Sequence, residues 1–228
     1  MKKRDGFLTE AQLRAELDRC IYCEEKPCRE ACPAHCSPAD FIMAARVGAK
    51  SDLRRSAALI LGANPLGGVC GVVCPDYFCM KACSRRMFDR PIEIPAVQAA
   101  VIKKANEIGL AKFGRAAPNG KTVGIVGAGP AGLGAASVLA QRGYQVTIYE
   151  QQKRLGGMMN LIPDFRLNQR VVRADLAFLR SLGAVEFKTG RAITDPAELR
   201  PKHDALIVCA GLGEPIRLNI PGEEHLLS

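Results

Sequence analysis

Two cysteine-rich segments constrain this chain more than any other feature of its sequence. The first cysteine run follows the pattern Cys-x2-Cys-x4-Cys-x3-Cys-Pro and consists of Cys20, Cys23, Cys28, Cys32 and the trailing Cys36. The second cysteine run also contains a Cys-Pro pair and consists of Cys70, Cys74, Cys79 and Cys83. Nine of the ten cysteines lie in these two runs. Such clustering indicates thiolate chemistry, and three kinds compete: disulfide bonds, zinc sites and iron–sulfur clusters.

The expected cellular compartment and the spacing of the cysteines indicate which of these three kinds of thiolate chemistry is favoured. The basic N-terminus has no apolar segment of a secretory signal behind it, and the longest apolar run, 205–212, is too short to span a bilayer. We therefore expect a cytoplasmic protein without membrane insertion, where disulfide frameworks are rare. Zinc sites favour paired Cys-x2-Cys units, and only Cys20 and Cys23 have that spacing. Apart from its longer middle gap, the first run has the spacing of bacterial ferredoxins. It predicts two [4Fe–4S] clusters, with zinc as the alternative.

The charge pattern and the histidines argue against two other functions. The net charge is +9, but the basic residues are scattered, tryptophan is absent, and aromatic residues make up 5% of the chain. A surface that stacks nucleic-acid bases needs basic and aromatic side chains together, so we predict no nucleic-acid partner. The three histidines, His35, His203 and His225, lie in no hydrolytic motif, and we predict no catalytic side chain. His35 lies between cysteines, and we interpret it as a partly exposed loop residue rather than a ligand.

Residues 1–112 are predicted to form an all-helical domain around the cysteines. Helical patterns cover about 9–19, 37–47, 52–61 and 95–111. Thr9 and Gln12 have the spacing of a capping box, and Val47 is expected on the apolar face of the second helix. Large hydrophobic residues are few, so we expect cofactors to supply much of the core of this domain.

A glycine-rich stretch adjoins the second cysteine run and contains Gly67, Gly68 and Gly71. Glycine lets a backbone pass close to a bulky cluster and present N–H groups to its sulfurs. We expect that role here, with a simple glycine-rich turn as the alternative.

A linker at 113–120 leads to a segment of different character, 121–228, which is predicted to form an α/β Rossmann-like domain. A short strand precedes a G-x-G-x-x-G sequence, which is followed by a helix, a second strand and Glu150. In this order the glycines allow a tight turn, the approach of a pyrophosphate and close helix–strand packing. The helix N-terminus favours phosphates, and Glu150 can accept hydrogen bonds from ribose hydroxyls. A glycine-rich turn without a ligand is the alternative.

The remaining sequence continues the alternation of helices and strands. A helix is predicted over about 168–182 and strands over about 185–189 and 205–210, which indicates a parallel sheet. Asp195 is expected to cap a short helix between the two strands. Cys209 lies in the last apolar run and is interpreted as a core thiol.

These motifs together resemble one family over about Cys20 to Glu223: the electron-input module shared by dihydropyrimidine dehydrogenase and the small subunit of glutamate synthase. The resemblance is carried by both cysteine runs, the sequence Asn64-Pro65-Leu66-Gly67, the glycine fingerprint with Glu150, the pair Gly156-Gly157, and Pro163-x-Phe165-Arg166.

The resemblance implies two sets of iron ligands that interleave between the runs. One cluster would be held by Cys20, Cys23, Cys28 and Cys83. The other would be held by Cys32, Cys74, Cys79 and Gln98. The glutamine favours dihydropyrimidine dehydrogenase over glutamate synthases, which tend to have an acidic residue there; an ordinary polar helix residue is the alternative. The gap between Cys74 and Cys79 is one residue shorter than in the family, which alters the loop at the second cluster.

The same resemblance implies that the dinucleotide is FAD. The residues that it assigns to FAD are Gly127, Ala128, Gly129, Pro130, Ala131, Glu150, Leu155, Gly156, Gly157, Met158, Arg166 and Ile193. Family members continue with a separate NAD(P)H-binding domain and a segment that completes the FAD domain. The domain at 121–228 is therefore expected to be incomplete.

The implied function is electron transfer from NADPH or NADH, through FAD and two [4Fe–4S] clusters, to a partner catalytic subunit or domain. A glutamate synthase small subunit or a related transhydrogenase subunit is an alternative of the same class. A non-enzymatic iron–sulfur relay or assembly subunit and a zinc-stabilised nucleotide-binding scaffold are alternatives of other classes.

Overall fold

The computed structural model describes residues 7–75, 77–111, 113–114, 116–212 and 221. Parts of the predicted terminal regions, including Gly213–Ile220, Glu223 and His225, lie outside the described residues. The first part of the chain is helical, as predicted. Its helices are α1 Glu10–Asp18, α2 Pro27–Glu30, α3 Pro38–Ala45, α4 Lys50–Ala63, α5 Gly67–Val73 and α6 Ile94–Ile108, with a 3₁₀ turn at Ser84–Met87.

The helix start signals act as the sequence predicts. Thr9 caps α1 through a complete capping box with Gln12, because each side chain accepts a hydrogen bond from the backbone N–H of the other residue. Pro38 occupies the first turn of α3, where its missing N–H costs nothing. The expectation for Val47 was wrong: α3 ends at Ala45, and the Val47 side chain beyond it is 81% exposed.

The helices form an apolar core of their own. Phe41 on α3, Ile60 on α4 and Val97 on α6 are completely buried in it, and the buried cysteines Cys79 and Cys83 pack into the same cluster. The expectation that cofactors supply much of this core was therefore too strong. Small residues such as alanine pack the helices closely enough for a few large side chains to fill the interior.

The glycine-rich stretch is neither a loop nor a turn but the helix α5. A Cβ atom at Gly68 would lie 2.8 Å from Oδ1 of Asp175, and one at Gly71 would lie 2.5 Å from the backbone nitrogen of Ala99 on α6. A Cβ atom at Gly67 would meet side chains of α4. These glycines therefore let α5 pack tightly against three other helices, which outweighs the low helix propensity of glycine.

The second part of the chain is an α/β unit, as predicted. Its strands are β1 Thr122–Val126, β2 Gln145–Glu150, β3 Val185–Thr189 and β4 Ala205–Val208, and its helices are α7 Pro130–Gln141 and α8 Gln169–Ser181. The described sheet is wholly parallel, with the order β3-β2-β1-β4. The short helix capped by Asp195 is present as a 3₁₀ helix at Pro196–Lys202.

Two details of this unit bear on the sites. Cys209, interpreted as a core thiol, packs against the apolar core of the α/β unit but is only partly buried, and β4 is an outer strand of the described sheet. Helix α8 packs against α5 through Asp175 and Val171, so the α/β unit contacts the helical part directly.

Within the described ranges no single helix is long and apolar enough to cross a membrane, although the bent pair α4 and α5 meets the length and composition criteria together.

Candidate functional site

The first cavity of interest is surrounded by cysteines from both runs. Cys20, Cys23 and Cys28 of the first run and Cys83 of the second line one small cavity of about 20 Å³. Its walls are otherwise mainly apolar and include Ile42 of α3. The structure thus brings together the four cysteines that the resemblance groups into one set, although about 55 residues separate Cys83 from Cys28 in sequence.

The sulfurs of this group influence one another. Burial, with a smaller contribution from the neighbouring sulfurs of Cys20 and Cys83, raises the pKa of Cys28 to about 11, against a backbone hydrogen bond from Ala39 that lowers it. Burial also raises the pKa of Cys20, to which Cys83 and Cys23 contribute. Cys20 and Cys28 therefore resist ionisation when the cavity holds no cation. Iron binding would reverse this, because a metal takes up the thiolate form and releases the protons.

A second group of cysteines also crosses between the runs. Burial raises the pKa of Cys79 to about 12, and the sulfurs of Cys74 and Cys32 are the next contributors. The pKa of Cys74 is likewise raised by burial and then by Cys32. Cys32 of the first run therefore lies near Cys74 and Cys79 of the second. This is the grouping that the resemblance implies.

The two cysteines outside both predicted ligand sets also lie near the second group. Burial raises the pKa of Cys36 to about 12, with Cys32 and Cys79 as the main charged neighbours. Cys70 lies on α5, and the side-chain amide of Asn64 donates a hydrogen bond to its sulfur at 3.0 Å. The second group is therefore richer in thiols than the first.

Gln98 lies in the first turns of α6 and contacts α5. Its Nε2 donates a hydrogen bond to the carbonyl oxygen of Gly67 at 2.7 Å. This bond holds the side chain of Gln98 against the start of α5. Helix α5 begins at Gly67 and is capped at its C-terminal end by Cys74. Gln98 is therefore hydrogen-bonded to the helix that carries a cysteine of the second group at its other end.

Cysteine sulfurs are ligands of zinc and of iron–sulfur clusters alike, so the donor set around the first cavity suits either kind of cofactor. Among the residues that the structure describes, no three or more His, Cys, Asp or Glu side chains form a group that could hold one metal ion.

The glycine-rich loop between β1 and α7 has the geometry of a dinucleotide site. Gly127 has a φ of +102°, and a Cβ atom there would lie 2.3 Å from the carbonyl oxygen of Cys209. A Cβ atom at Gly132 would lie 2.0 Å from the carbonyl oxygen of Gly127. At Gly129, by contrast, a Cβ atom would enter open space in front of the first turn of α7. Two glycines are thus required by the fold, and the third leaves room for a ligand.

Glu150 ends β2 and is almost fully buried, at 7% exposure. Its Oε2 accepts a hydrogen bond from the N–H of Ala128 and its Oε1 accepts one from the N–H of Gln152, both at 2.8 Å. The carboxylate therefore holds the glycine-rich loop against β2, a role that the sequence did not reveal. A carboxylate offers about four acceptor positions, so capacity for ribose hydroxyls remains.

The second glycine pair lies against the first glycine-rich loop. The N–H of Gly156 donates to the carbonyl oxygen of Ala128 at 2.9 Å. Gly156 and Gly157 both have positive φ, and a Cβ atom at Gly157 would lie 2.9 Å from Cα of Gly129. Only glycine allows this approach, which brings two distant parts of the predicted FAD site together.

The other predicted FAD residues differ in their surroundings. Leu155 is buried beside the glycine pair, and Pro130 and Ala131 are exposed at the start of α7. Met158 is 71% exposed, and Arg166 is also exposed. Ile193 packs with a separate small apolar cluster near the end of β1. The structure therefore assembles residues 127–131, 150 and 155–157, whereas Met158, Arg166 and Ile193 lie outside this assembly.

Asp175 is a buried polar residue that the motif search missed. It lies on α8, is 1% exposed, and accepts hydrogen bonds from the N–H groups of Gly68 and Val69 on α5. A sequence signal existed, because Asp175 lies on the same helical face as the buried Val172 and Leu179. A charged residue on the apolar face of a helix indicates that its side chain has a specific hydrogen-bonding or ionic partner inside the protein.

Two protein families match this chain. Residues 1–110 match the family described as dihydropyrimidine dehydrogenase domain II, 4Fe-4S cluster. Residues 125–183 match the family described as NAD(P)-binding Rossmann-like domain. The two matches coincide with the helical part and with the core of the α/β unit.

Curated relatives match across both parts. NAD-dependent dihydropyrimidine dehydrogenase subunit PreT of Escherichia coli (strain K12) is 36% identical over 205 residues, which cover 86% of this chain and 48% of the relative. Glutamate synthase [NADPH] small chain of the same strain is 28% identical over 222 residues, 95% of this chain and 46% of the relative. NADP(+)-dependent formate dehydrogenase subunit beta of Moorella thermoacetica is 31% identical over 225 residues, 87% of this chain and 31% of the relative. The chain spans about half the length of the first two.

The fold and these matches define the class of the protein: a helical domain that matches a 4Fe-4S family, followed by a Rossmann-like domain that matches an NAD(P)-binding family. Within that class, the chain is a relative of the N-terminal electron-input module of dihydropyrimidine dehydrogenase and of the glutamate synthase small chain.

Proposed function

We propose that this chain is the electron-input module of an NAD(P)H-dependent oxidoreductase. NADPH or NADH supplies the electrons, which pass through FAD and two [4Fe–4S] clusters to a partner catalytic site, as the names of the dihydropyrimidine dehydrogenase relatives suggest. One observation carries the proposal: four cysteines from two distant runs line a single cavity. Four cysteine sulfurs gathered from distant segments around one cavity are a suitable donor set for an iron–sulfur cluster.

The chain itself supplies ligands and surroundings rather than reacting groups. Cys20, Cys23, Cys28 and Cys83 hold the first cluster. The second is held by Cys32, Cys74 and Cys79, with the amide oxygen of Gln98 as the fourth ligand. The mutual influence of the sulfurs in each group supports this division.

We propose FAD as the dinucleotide, held mainly by the assembled loops. Gly129 leaves space for its pyrophosphate, and the N-terminal turn of α7 faces that space. Glu150 binds the adenosine ribose with the acceptor capacity left by its two backbone hydrogen bonds. Met158, Arg166 and Ile193 contact the outer parts of the cofactor. The domain boundaries that we propose are 1–112 and 121–228, with a linker at 113–120 between them.

The partner is a catalytic subunit or domain that accepts electrons from the clusters. The 28% identity to a glutamate synthase small chain keeps a glutamate synthase partner as the second candidate. We propose the cytoplasm as the location, since all ten cysteines are free thiols.

Anaerobic purification followed by iron, acid-labile sulfide and flavin quantification tests the proposal. We expect about eight irons and about eight sulfides per chain, from two four-iron clusters. We expect one FAD per chain when the completing sequence is present. Four irons or fewer would contradict two clusters, and zinc without sulfide would favour the zinc scaffold. Bleaching of the flavin absorbance by NADPH or NADH separates an electron-input module from a non-enzymatic relay.

A further inference from the structure

Asp175 connects the two parts of the molecule through buried hydrogen bonds. Its Oδ1 accepts from the N–H of Gly68 at 3.2 Å, and its Oδ2 accepts from the N–H of Val69 at 2.8 Å. The acceptor lies on α8 of the α/β unit, whereas both donors lie in the first turn of α5 in the helical part. The two elements are more than 100 residues apart in sequence.

Helix α5 is held from two sides at this turn. Gln98 of α6 donates to the carbonyl oxygen of Gly67, while Asp175 of α8 accepts from the next two N–H groups. The same helix carries Cys70 and is capped at its other end by Cys74. Any shift of the first turn is therefore transmitted to the second group of cysteines over a single short helix.

The buried carboxylate of Asp175 has two effects at the N-terminus of α5. It satisfies two of the N–H groups that a helix leaves without partners at its N-terminus. It also places a negative charge where water is excluded, and charge acts more strongly over distance in such a medium. Burial raises the pKa of Cys70 against the hydrogen bond from Asn64, and Cys74 and Asp175 raise it as well, so Asp175 lies near this thiol of α5.

We propose that Asp175 is a positioning residue that fastens the dinucleotide-binding domain to α5 and holds the reduction potential of the second cluster low. This inference rests on the proposed function, in which Cys32, Cys74 and Cys79 hold that cluster. A fixed negative charge close to a cluster disfavours the addition of an electron. Removal of the charge therefore raises the potential.

The test compares Asp175→Asn with Asp195→Asn in the anaerobically purified protein, together with its completing chain where one exists. Asparagine keeps the shape of the side chain and removes the charge. Asp195 is a matched control, because it also accepts a backbone hydrogen bond, from Ala197 at 2.8 Å, but is exposed and lies away from α5. Mediated redox titration at pH 8 with electron paramagnetic resonance detection gives the potential of each cluster.

We expect one of the two cluster potentials to rise in Asp175→Asn and the other to stay unchanged, with neither changed in Asp195→Asn. Iron content should equal that of the wild type, which excludes simple loss of the cluster. Two unchanged potentials, or an equal shift of both, would overturn the inference.

Hydrogen–deuterium exchange provides a second measurement that does not depend on the cofactors. The peptide covering 66–74 should exchange faster in Asp175→Asn and Asp175→Ala than in the wild type, and at the wild-type rate in Asp195→Asn. Unchanged exchange would show that Asp175 does not hold α5. If the wild type contains no clusters, the proposed function fails, while the exchange data still decide whether the carboxylate fastens the two domains.

Discussion

The two cysteine groups of this molecule differ in how completely the helical part builds them. The first group has four cysteines around one cavity, from the segments next to α1 and α2 and the start of the 3₁₀ turn. The second has three of the predicted cysteines, and its surroundings depend on α5, which α6 and α8 hold in place. The first group is therefore built within the helical part alone, whereas the second is coupled to the dinucleotide-binding domain.

Removal of a thiol from the first group should have the largest effect. Cys83→Ala takes away the only member of that group from the second run, and we expect the loss of about four of eight irons. Iron analysis and the visible absorption spectrum measure this. Cys209→Ala is the control, because Cys209 is a partly buried cysteine of the α/β unit, and its iron content should equal that of the wild type. Full iron in Cys83→Ala would refute the interleaved ligand sets.

Gln98→Ala should affect the second group alone. Without the amide oxygen the proposed cluster has an open coordination position, so its electron paramagnetic resonance signal should change while the other signal stays. The bond from Gln98 to Gly67 is lost as well, which loosens α5. Asn106→Ala on the exposed side of the same helix is the control. Identical spectra for Gln98→Ala and the wild type would remove glutamine from the ligand set.

Gly71→Ala should show how strongly the second group depends on helix packing. Its Cβ atom would lie 2.5 Å from the backbone nitrogen of Ala99, so α5 and α6 must move apart, at a cost of about 1–3 kcal/mol. Gly134→Ala on α7 is the matched control, because nothing lies within 4 Å of its Cβ position. That change should stabilise the protein by about 0.5–1 kcal/mol through helix propensity. Chemical denaturation of both variants under anaerobic conditions measures the difference, and equal stabilities would show that α5 tolerates displacement.

The smallest expected effect is on the pH dependence of the free energy of unfolding. It concerns Asp175, which couples the second cysteine group to the dinucleotide-binding domain. Burial raises the pKa of Asp175 to about 7, against the opposing effect of hydrogen bonds from Val69 and Gly68. The folded state therefore binds a proton that the unfolded state releases, so this contribution to stability is lost as the pH rises through 7. Between pH 6 and pH 8 the wild type should lose about 1 kcal/mol relative to Asp175→Asn. A difference that is constant over this range would contradict the assignment.

The sequence predicted those parts of the structure that depend on local periodicity or on recurring motifs. Capping at Thr9, the proline start of α3 and the strand–loop–helix order around Gly127 were all confirmed, because each depends on residues close together in the chain. The domain order was confirmed as well. The ligand assignments for the clusters and FAD came from the resemblance and stay predictions.

The parts that the sequence did not predict depend on tertiary packing. The glycines of α5 suggest a loop when only local preference is considered, yet contacts with three helices make that stretch helical. Cys209 is partly exposed because β4 has no described neighbour on its outer side. The link from Asp175 to α5 joins residues more than 100 positions apart, and only its place on an apolar helix face marks it in the sequence.

The mixing of the two cysteine runs also has a consequence for biosynthesis. With the proposed ligands, a growing chain that has emerged only as far as α4 carries three thiols of the first cluster and one of the second. Neither cluster can be completed until residue 83 has left the ribosome, and the second must also wait for residue 98. Translation therefore imposes an order on maturation: the helices between the runs are made first, and iron is inserted into a framework that has already begun to fold.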